Sequence, residues 1–508
     1  MTGRERLWRA AMALVPPAKQ DCPPGPVPAW PWPLPPPDEA LHDVPRDALA
    51  PLPPWRPGPE ARDPKPAWAR HQLHDLVAAR LAGHPVDLSA WWTAHRADPG
   101  AWASSHAVAA RVPAMALLGH RDALWAHADH LRRHPSRFSS AGNHRVAELA
   151  ALALARRCLP DLPAPGLLRP TLAHQLHPDG WPREQSLPYL AYVLEWGLVA
   201  HRCGEDLADL LHRGAAALEA CLSADGQPFA IGDNGGDVAL PGRGDEASYA
   251  HDVLGCIRSA LGQPAPRWLP SRRAALLGLG PAVDASPPSS TSFAAGGFTV
   301  LRSPRLVVGF DHGPLGMPPL CAHGHDDLLA IWAHRDGQPW LVGRGTHAYH
   351  APQTRWRQRG PWGTCGLILD GRARALPHRH PFLWQRTAEA HLERLRFDPT
   401  GGEVMAHHDA WEGLRHTRTV RVDGASLDVH DHLEGHGVHH VAVAWHLAPG
   451  LRGRTDGDDL HVLESPLPVR IASSEHAEGY GRTVPADTLM AEGIVRLPAR
   501  LITRWRPR

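Results

Sequence analysis

Cysteine is sparse in this chain, and it lacks a pairing pattern. Seven cysteines (Cys22, Cys158, Cys203, Cys221, Cys256, Cys321 and Cys365) are scattered over 508 residues with no C-x-x-C. Neither a disulfide framework nor a zinc-thiolate site is indicated, and reduced thiols in a cytoplasmic protein are the simplest fit. Charge of one sign is also missing: 53 Lys+Arg face 52 Asp+Glu, a formal charge of +1. Nucleic acid, which calls for a net basic surface, is therefore not an expected partner. No apolar run reaches the roughly 20 residues that span a bilayer, so no transmembrane segment is expected. The opening segment to Pro17 places basic residues before a short apolar run. It is too short for a good secretory signal and reads better as a short amphipathic helix. A cytoplasmic location is the expectation, with a periplasmic or secreted one as the alternative. Phenylalanine and tyrosine are scarce, 7 and 5, against 20 tryptophans and 36 histidines. Tryptophan serves packing as well as sugar stacking, and partly protonated histidines favour an anionic ligand.

A chain of this length predicts roughly two to four domains. Residues 1–66 are rich in Pro and Trp (PPGPVPAWPWPLPPP, PLPPWRPGP) and read as an extended arm that lies on the body or is partly disordered. From 67 to 270 the apolar spacing is helical, as in NHRVAELAALALARRC, where Val146, Leu149 and Leu152 share a face. Successive helical hairpins broken by Gly, Pro or Asp point to a helical array or toroid. A linker is expected over 271–292. From 293 to 508 the period changes to two, with short strands between turns such as Asp370-Gly371 and Asp423-Gly424, which predicts an antiparallel β-sandwich. The expected fold class is thus α+β, multidomain: an N-terminal (α/α) toroid followed by a C-terminal antiparallel β-sandwich.

Several clusters carry chemistry. The foremost is His323-Gly324-His325-Asp326-Asp327 before an apolar run, a set of bases, carboxylates and metal-ligand types at the mouth of a strand. With so many histidines a chance H-x-H is not improbable. Asn143-His144 opens a strong helix, where Asn143 is either an N-cap or part of a carboxylate site at the helix dipole. Polar residues from Asp179 to Ser186 lead into a helix carrying Tyr189 and Tyr192, each of which is a core residue or a catalyst. The Gly232–Asp237 loop is a turn or a cation loop. It lacks the downstream Glu of an EF-hand, which favours the turn. Arg355, Arg357 and Arg359 around Trp356 suit an acidic glycan or a solvated basic face. No separated carboxylate pair stands out, which disfavours a glycosidase.

The order of these motifs is distinctive: Asn143-His144, then D-G-x-x-x-E-Q-S-x-x-Y ending at Tyr189, I-G-D-N at 231–234 and G-F-x-V-L-R-S from Gly297. D-H-G-P-x-G from Asp311, H-G-H-x-D from His323 and G-T-x-x-Y ending at Tyr349 complete it. Over about residues 100 to 450 the chain resembles the heparinase II/III-like polysaccharide lyases, which include alginate and oligoalginate lyases. The resemblance implies the toroid and sandwich just described, with a cleft between them that binds an acidic polysaccharide or oligosaccharide. It also implies β-elimination at a uronate, in which the C5 proton is removed and the C4 oxygen leaves with a proton. In that reading Asn143 and His144 bind and neutralise the carboxylate. Tyr189 protonates the leaving oxygen and is a candidate base, with His323 or Arg183 as the cation assisting its ionisation, and His323 is the second proton-transfer candidate. Glu184, Gln185, Arg183, Tyr349 and Trp356 are the expected substrate-binding side chains.

Relatives commonly carry a metal in the sandwich, held by the second His of H-G-H, an Asp and a further His. Here His325 is present, but the Asp position aligns with Gly343 and the His position with Thr364. One imidazole is a poor zinc site. The expectation is therefore no cofactor, unless His347, His350 or Asp327 substitutes. Leu190 stands where a His often follows the catalytic Tyr. A lyase on a uronate-containing glycan is the leading expectation. A uronate C5-epimerase and a non-catalytic glycan-binding or assembly protein on a lyase scaffold are the alternatives.

Overall fold

A computed structural model describes residues 22, 25–26, 29–33, 65, 71–102, 104–240, 246–459 and 461–508. The expected N-terminal amphipathic helix and most of the 1–66 arm lie outside the described residues. Of that arm, Trp30 and Trp32 pack on the helical body: the Trp30 indole donates to the Leu276 carbonyl at 2.7 Å, and Arg202 lies 5.9 Å over the Trp32 ring.

The N-terminal part is helical and the C-terminal part is built of antiparallel sheets, as the sequence patterns predict. The two longest described helices, Asn143–Cys158 and Leu187–Arg202, are buried over most of their residues. They sit in the middle of the array and present small and branched apolar side chains on nearly every face, which is what a helix enclosed by neighbours requires. Ser186 starts the second of these by accepting the Tyr189 amide at 3.3 Å, with Pro188 in the first turn. Inside the stretch expected as linker, Arg272–Leu276 forms a short helix, and Arg273 from it pairs with the buried Glu195. Glu195 also accepts from the Ala239 and Leu240 amides and from Tyr249 at 2.8 Å, and so ties the 237–240 loop to the array.

Among the described residues the C-terminal part holds a five-stranded sheet (Thr291–Phe293 through Gln338–Leu341, in sequence order), an eight-stranded sheet, a four-stranded sheet and a two-stranded one. In the eight-stranded sheet, Leu427, Val429 and Leu433 face inward and alternate with outward polar residues. The inward register also buries His408, His416, Arg418 and Asp431. His416 Nε2 and Arg418 Nε each lie 2.7 Å from Asp431 Oδ1, so the charges are paired inside the sandwich.

The helical and β parts are in direct contact. Trp181 stacks on Phe298 with ring centroids 4.2 Å apart and planes at 10°, and Gln185 donates across the junction to the Gly296 carbonyl at 2.9 Å. The His323 segment meets the 232–237 loop and the start of the Leu187–Arg202 helix there. Among the described residues no helix is long and apolar enough to cross a membrane.

Candidate active site

At this junction Tyr189, from the helical part, and His323, from the β part, come face to face. Their ring centroids are 3.7 Å apart with planes at 19°. The Tyr189 hydroxyl lies 3.1 Å from that of Tyr349. Burial pushes both phenols well above their ordinary pKa, Tyr349 and the nearby Asp237 adding to the effect on Tyr189, so both are protonated at neutral pH.

Behind His323 stands Asp233, fully buried, in the I-G-D-N loop. Its Oδ2 lies 3.2 Å from His323 Nδ1 and its Oδ1 2.9 Å from His325 Nε2, while Thr346 Oγ1 donates to Oδ1 at 3.3 Å. The Arg355 guanidinium spans the same carboxylate, bonding Oδ1 and, at 2.7 Å, Oδ2. Burial alone would raise the Asp233 pKa. Arg355, with hydrogen bonds from the two histidines, instead holds it well below the carboxylate range. Because Asp233 is an acceptor, His323 carries its proton on Nδ1 and presents an unprotonated Nε2 when neutral.

Asn143 lies on the first turn of its helix. Gly142, not Asn143, is the N-cap residue, so the cap alternative does not hold. The Asn143 amide instead donates to both oxygens of Glu184 at 3.0 Å, and its own Oδ1 is buried without a partner. Glu184 thus orients Asn143. His144 packs against His106 with centroids 4.6 Å apart, and Tyr192 Oη lies 3.3 Å from His106 Nδ1. Burial, then the neighbouring His106 and His323, depress the His144 pKa well below the imidazole range. His144 is therefore held as a neutral imidazole.

Not every expected residue joins the cluster. The Gln185 amide is consumed structurally, accepting from the Trp181 indole at 2.7 Å and donating to Gly296. Arg183 reaches the His174 ring at 3.2 Å, and the guanidinium that approaches the tyrosine pair is Arg355, 5.1 Å over the Tyr349 ring. Trp356 packs edge-on to Trp384 at 6.2 Å. The solvated basic face is corrected for two of its three arginines. Arg355 and Arg359 are buried, and Arg359 donates to the Cys321 and Gly324 carbonyls, leaving only Arg357 exposed. Asp327 is buried, and its carbonyl accepts the Ala330 amide at 2.8 Å in the turn before the strand.

Sequence reasoning passed over Asp233, Asp237 and Lys65. Asp233 lay in the motif order, but a lone Asp beside glycines reads as turn chemistry. Lys65 and Asp237 form an ion pair at 2.6 Å beside His106, a contact between the arm and the loop that no local pattern announces. Gly235 is required by close approach. A Cβ there would meet Asp237 Oδ2 at 2.7 Å, Tyr189 Oη at 2.9 Å and Tyr349 Oη at 3.2 Å.

The residues present do not fit the metal known from the resemblance. Gly343 supplies no donor, the Thr364 hydroxyl is buried without a partner, and His325 is committed to Asp233, whose two oxygens the Arg355 guanidinium spans. Among the described residues no group of three or more His, Cys, Asp or Glu is arranged to hold a metal ion.

The described residues thus form a helical toroid joined to an antiparallel sandwich, with a tyrosine and a histidine facing each other where they meet. Residues 285–498 match the family model described as Heparinase II/III-like, C-terminal. Solved structures share the fold. A heparinase III is 14% identical with a TM-score of 0.62, covering 87% of this chain and 76% of the other. The heparan sulfate lyase HepC from Pedobacter heparinus is 14% identical with a TM-score of 0.55, covering 93% and 86%. A second structure, described as a heparinase III gene product, is 12% identical with a TM-score of 0.59, covering 89% and 80%. No curated protein sequence matches the chain.

Proposed function

We propose that this protein is a polysaccharide lyase that cleaves a uronate-containing glycan by β-elimination. The observation that carries the reading is the Tyr189–His323 stack at the junction of the two parts, with Asp233 behind the histidine. A β-elimination needs a base at C5, a proton for the C4 oxygen and donors for the developing carboxylate charge. His323, with Nδ1 held by Asp233, supplies the base through Nε2. Tyr189, protonated in its buried setting, supplies the proton to the leaving oxygen. Its hydrogen-bond partner Tyr349 shares the charge change. Asn143, oriented by Glu184, and neutral His144 donate to the uronate carboxylate. This division of labour favours His323 over Tyr189 as base, because the Tyr189 pKa is raised and the guanidinium nearest the pair is already bound to Asp233.

The substrate class follows from the chemistry: the sugar carries a carboxylate on the carbon next to the proton that leaves. The test is a panel of acidic glycans assayed for ultraviolet absorbance of the new C4=C5 double bond conjugated to the carboxylate. The expected result is absorbance with wild type and its loss in Tyr189→Phe. No absorbance on any member, or an unaffected Tyr189→Phe, contradicts the proposal. Deuterium entering C5 from solvent without cleavage would identify an epimerase instead. Tight glycan binding without turnover, surviving loss of both Tyr189 and His323, would identify a binding protein on a lyase scaffold.

A further inference from the structure

Arg355 occupies an unusual position for an arginine. It sits on the Pro352–Arg359 helix, 4% exposed, with its guanidinium bound across the Asp233 carboxylate and its Nε buried without a partner. The carboxylate it holds is also the acceptor for His323 and His325, and its charge lies 5.1 Å over the ring of Tyr349, itself bonded to Tyr189. One positive charge therefore touches the acceptor of the proposed base on one side and the partner of the proposed acid on the other.

We infer that the Arg355 guanidinium is the resident cation of this centre: it fixes Asp233, and through it His323 and His325, so that the centre is complete without a bound metal ion. The donor set supports this. Asp233 is a bridge between a guanidinium and two imidazoles. A divalent ion placed on His325 would have to displace Arg355 from Asp233, leaving a buried guanidinium without a counter-charge. The fork geometry of arginine suits this place as a lysine would not, since it engages both carboxylate oxygens at once. Arg355 is a positioning residue, acting through Asp233 and Tyr349. On the same helix Arg359 also feels this charge: burial and then Arg355 lower its pKa to about 9.

The experiment reads stability and metal content, so it is independent of the lyase reading. Purified full-length protein is analysed for bound metals, and its melting temperature is measured with and without chelator and with added zinc. The same measurement is made on Arg355→Met, Asp233→Asn, the double variant and Arg355→Lys. Substoichiometric metal and a melting temperature indifferent to chelator are expected. Each single variant is expected to lose about 5–10 °C, as unpaired buried charges do. The double variant should lose clearly less than the sum, because no charge is left unpaired. A residue that merely packs would give additive losses. Should Arg355→Met fail to fold, recovery of folded protein in the double variant supports the inference and its failure in both overturns it. A stoichiometric metal in wild type, a melting temperature lowered by chelator, or additive losses each overturn it as well.

Discussion

Substituting Gly235 by alanine tests the site with a single methyl group. The added Cβ would stand 2.9 Å from Tyr189 Oη and 3.2 Å from Tyr349 Oη, where ordinary van der Waals contact begins at 3.4 Å. The 2.7 Å approach to Asp237 Oδ2 closes the remaining direction. The phenol of Tyr189 must then move by about half an ångström, and misplacement by about 1 Å costs on the order of a hundredfold in rate. A loss of about tenfold or more in kcat is expected. Global stability should change little, because the lower chain entropy of alanine, worth about 0.4–1 kcal/mol, offsets part of an overpacking cost of about 1–3 kcal/mol. The assay is the rate of double-bond formation, alongside a melting curve. A fully active Gly235→Ala would show that the space between the two tyrosines and Asp237 is not where the reaction is organised.

Three further outcomes are expected. Asn143→Ala should fold normally, since Gly142 is the cap residue, yet lose roughly 10²–10³ in kcat as a preorganised donor is removed; steady-state kinetics that show no change would remove Asn143 from the site. Asp431→Ala strands Arg418 inside the sandwich and should destabilise by about 3–5 kcal/mol in denaturant unfolding, whereas a loss below about 1 kcal/mol would mean that the pair is not a closed unit. Acid should destabilise the fold through buried neutral histidines, since burial lowers His74 and His312 to about 4 and His130, His334 and His446 to about 3. With folded pKa values below the ordinary one near 6.5, the unfolded chain binds more protons as pH falls from there. Stability is thus fully present above that pH and declines on the order of 5 kcal/mol per pH unit toward pH 4. His446→Gln should lessen that slope by about 1.4 kcal/mol per unit in unfolding measurements from pH 4 to 7, and an unchanged slope would contradict the assignment.

The two halves of the fold were legible because each has a period: 3.6 through Val146, Leu149 and Leu152, and two through Leu427, Val429 and Leu433. The pairing of Tyr189 with His323 was reachable only through the order of motifs, since 134 positions separate them in sequence. Asp233 and Arg355 were hidden for a physical reason. A charged residue's burial depends on a partner brought by tertiary structure, here from a loop and a helix 122 positions apart, and local pattern favours exposure for both. Arg355 and Arg359 consequently read as a surface patch while forming the wall of the site. Gln185 misled in the other direction, as a polar residue inside a functional motif whose amide serves the junction between the two parts.

The most direct test of β-elimination at the Tyr189–His323 pair is the mass balance of cleavage. Products from a defined acidic oligosaccharide are weighed by mass spectrometry after incubation with wild-type protein and with His323→Ala. β-Elimination at this pair gives product masses that sum to that of the intact substrate with no water added, and no products from His323→Ala. Products that together gain one water would show hydrolysis, and undiminished cleavage by His323→Ala would take the base out of the proposed site.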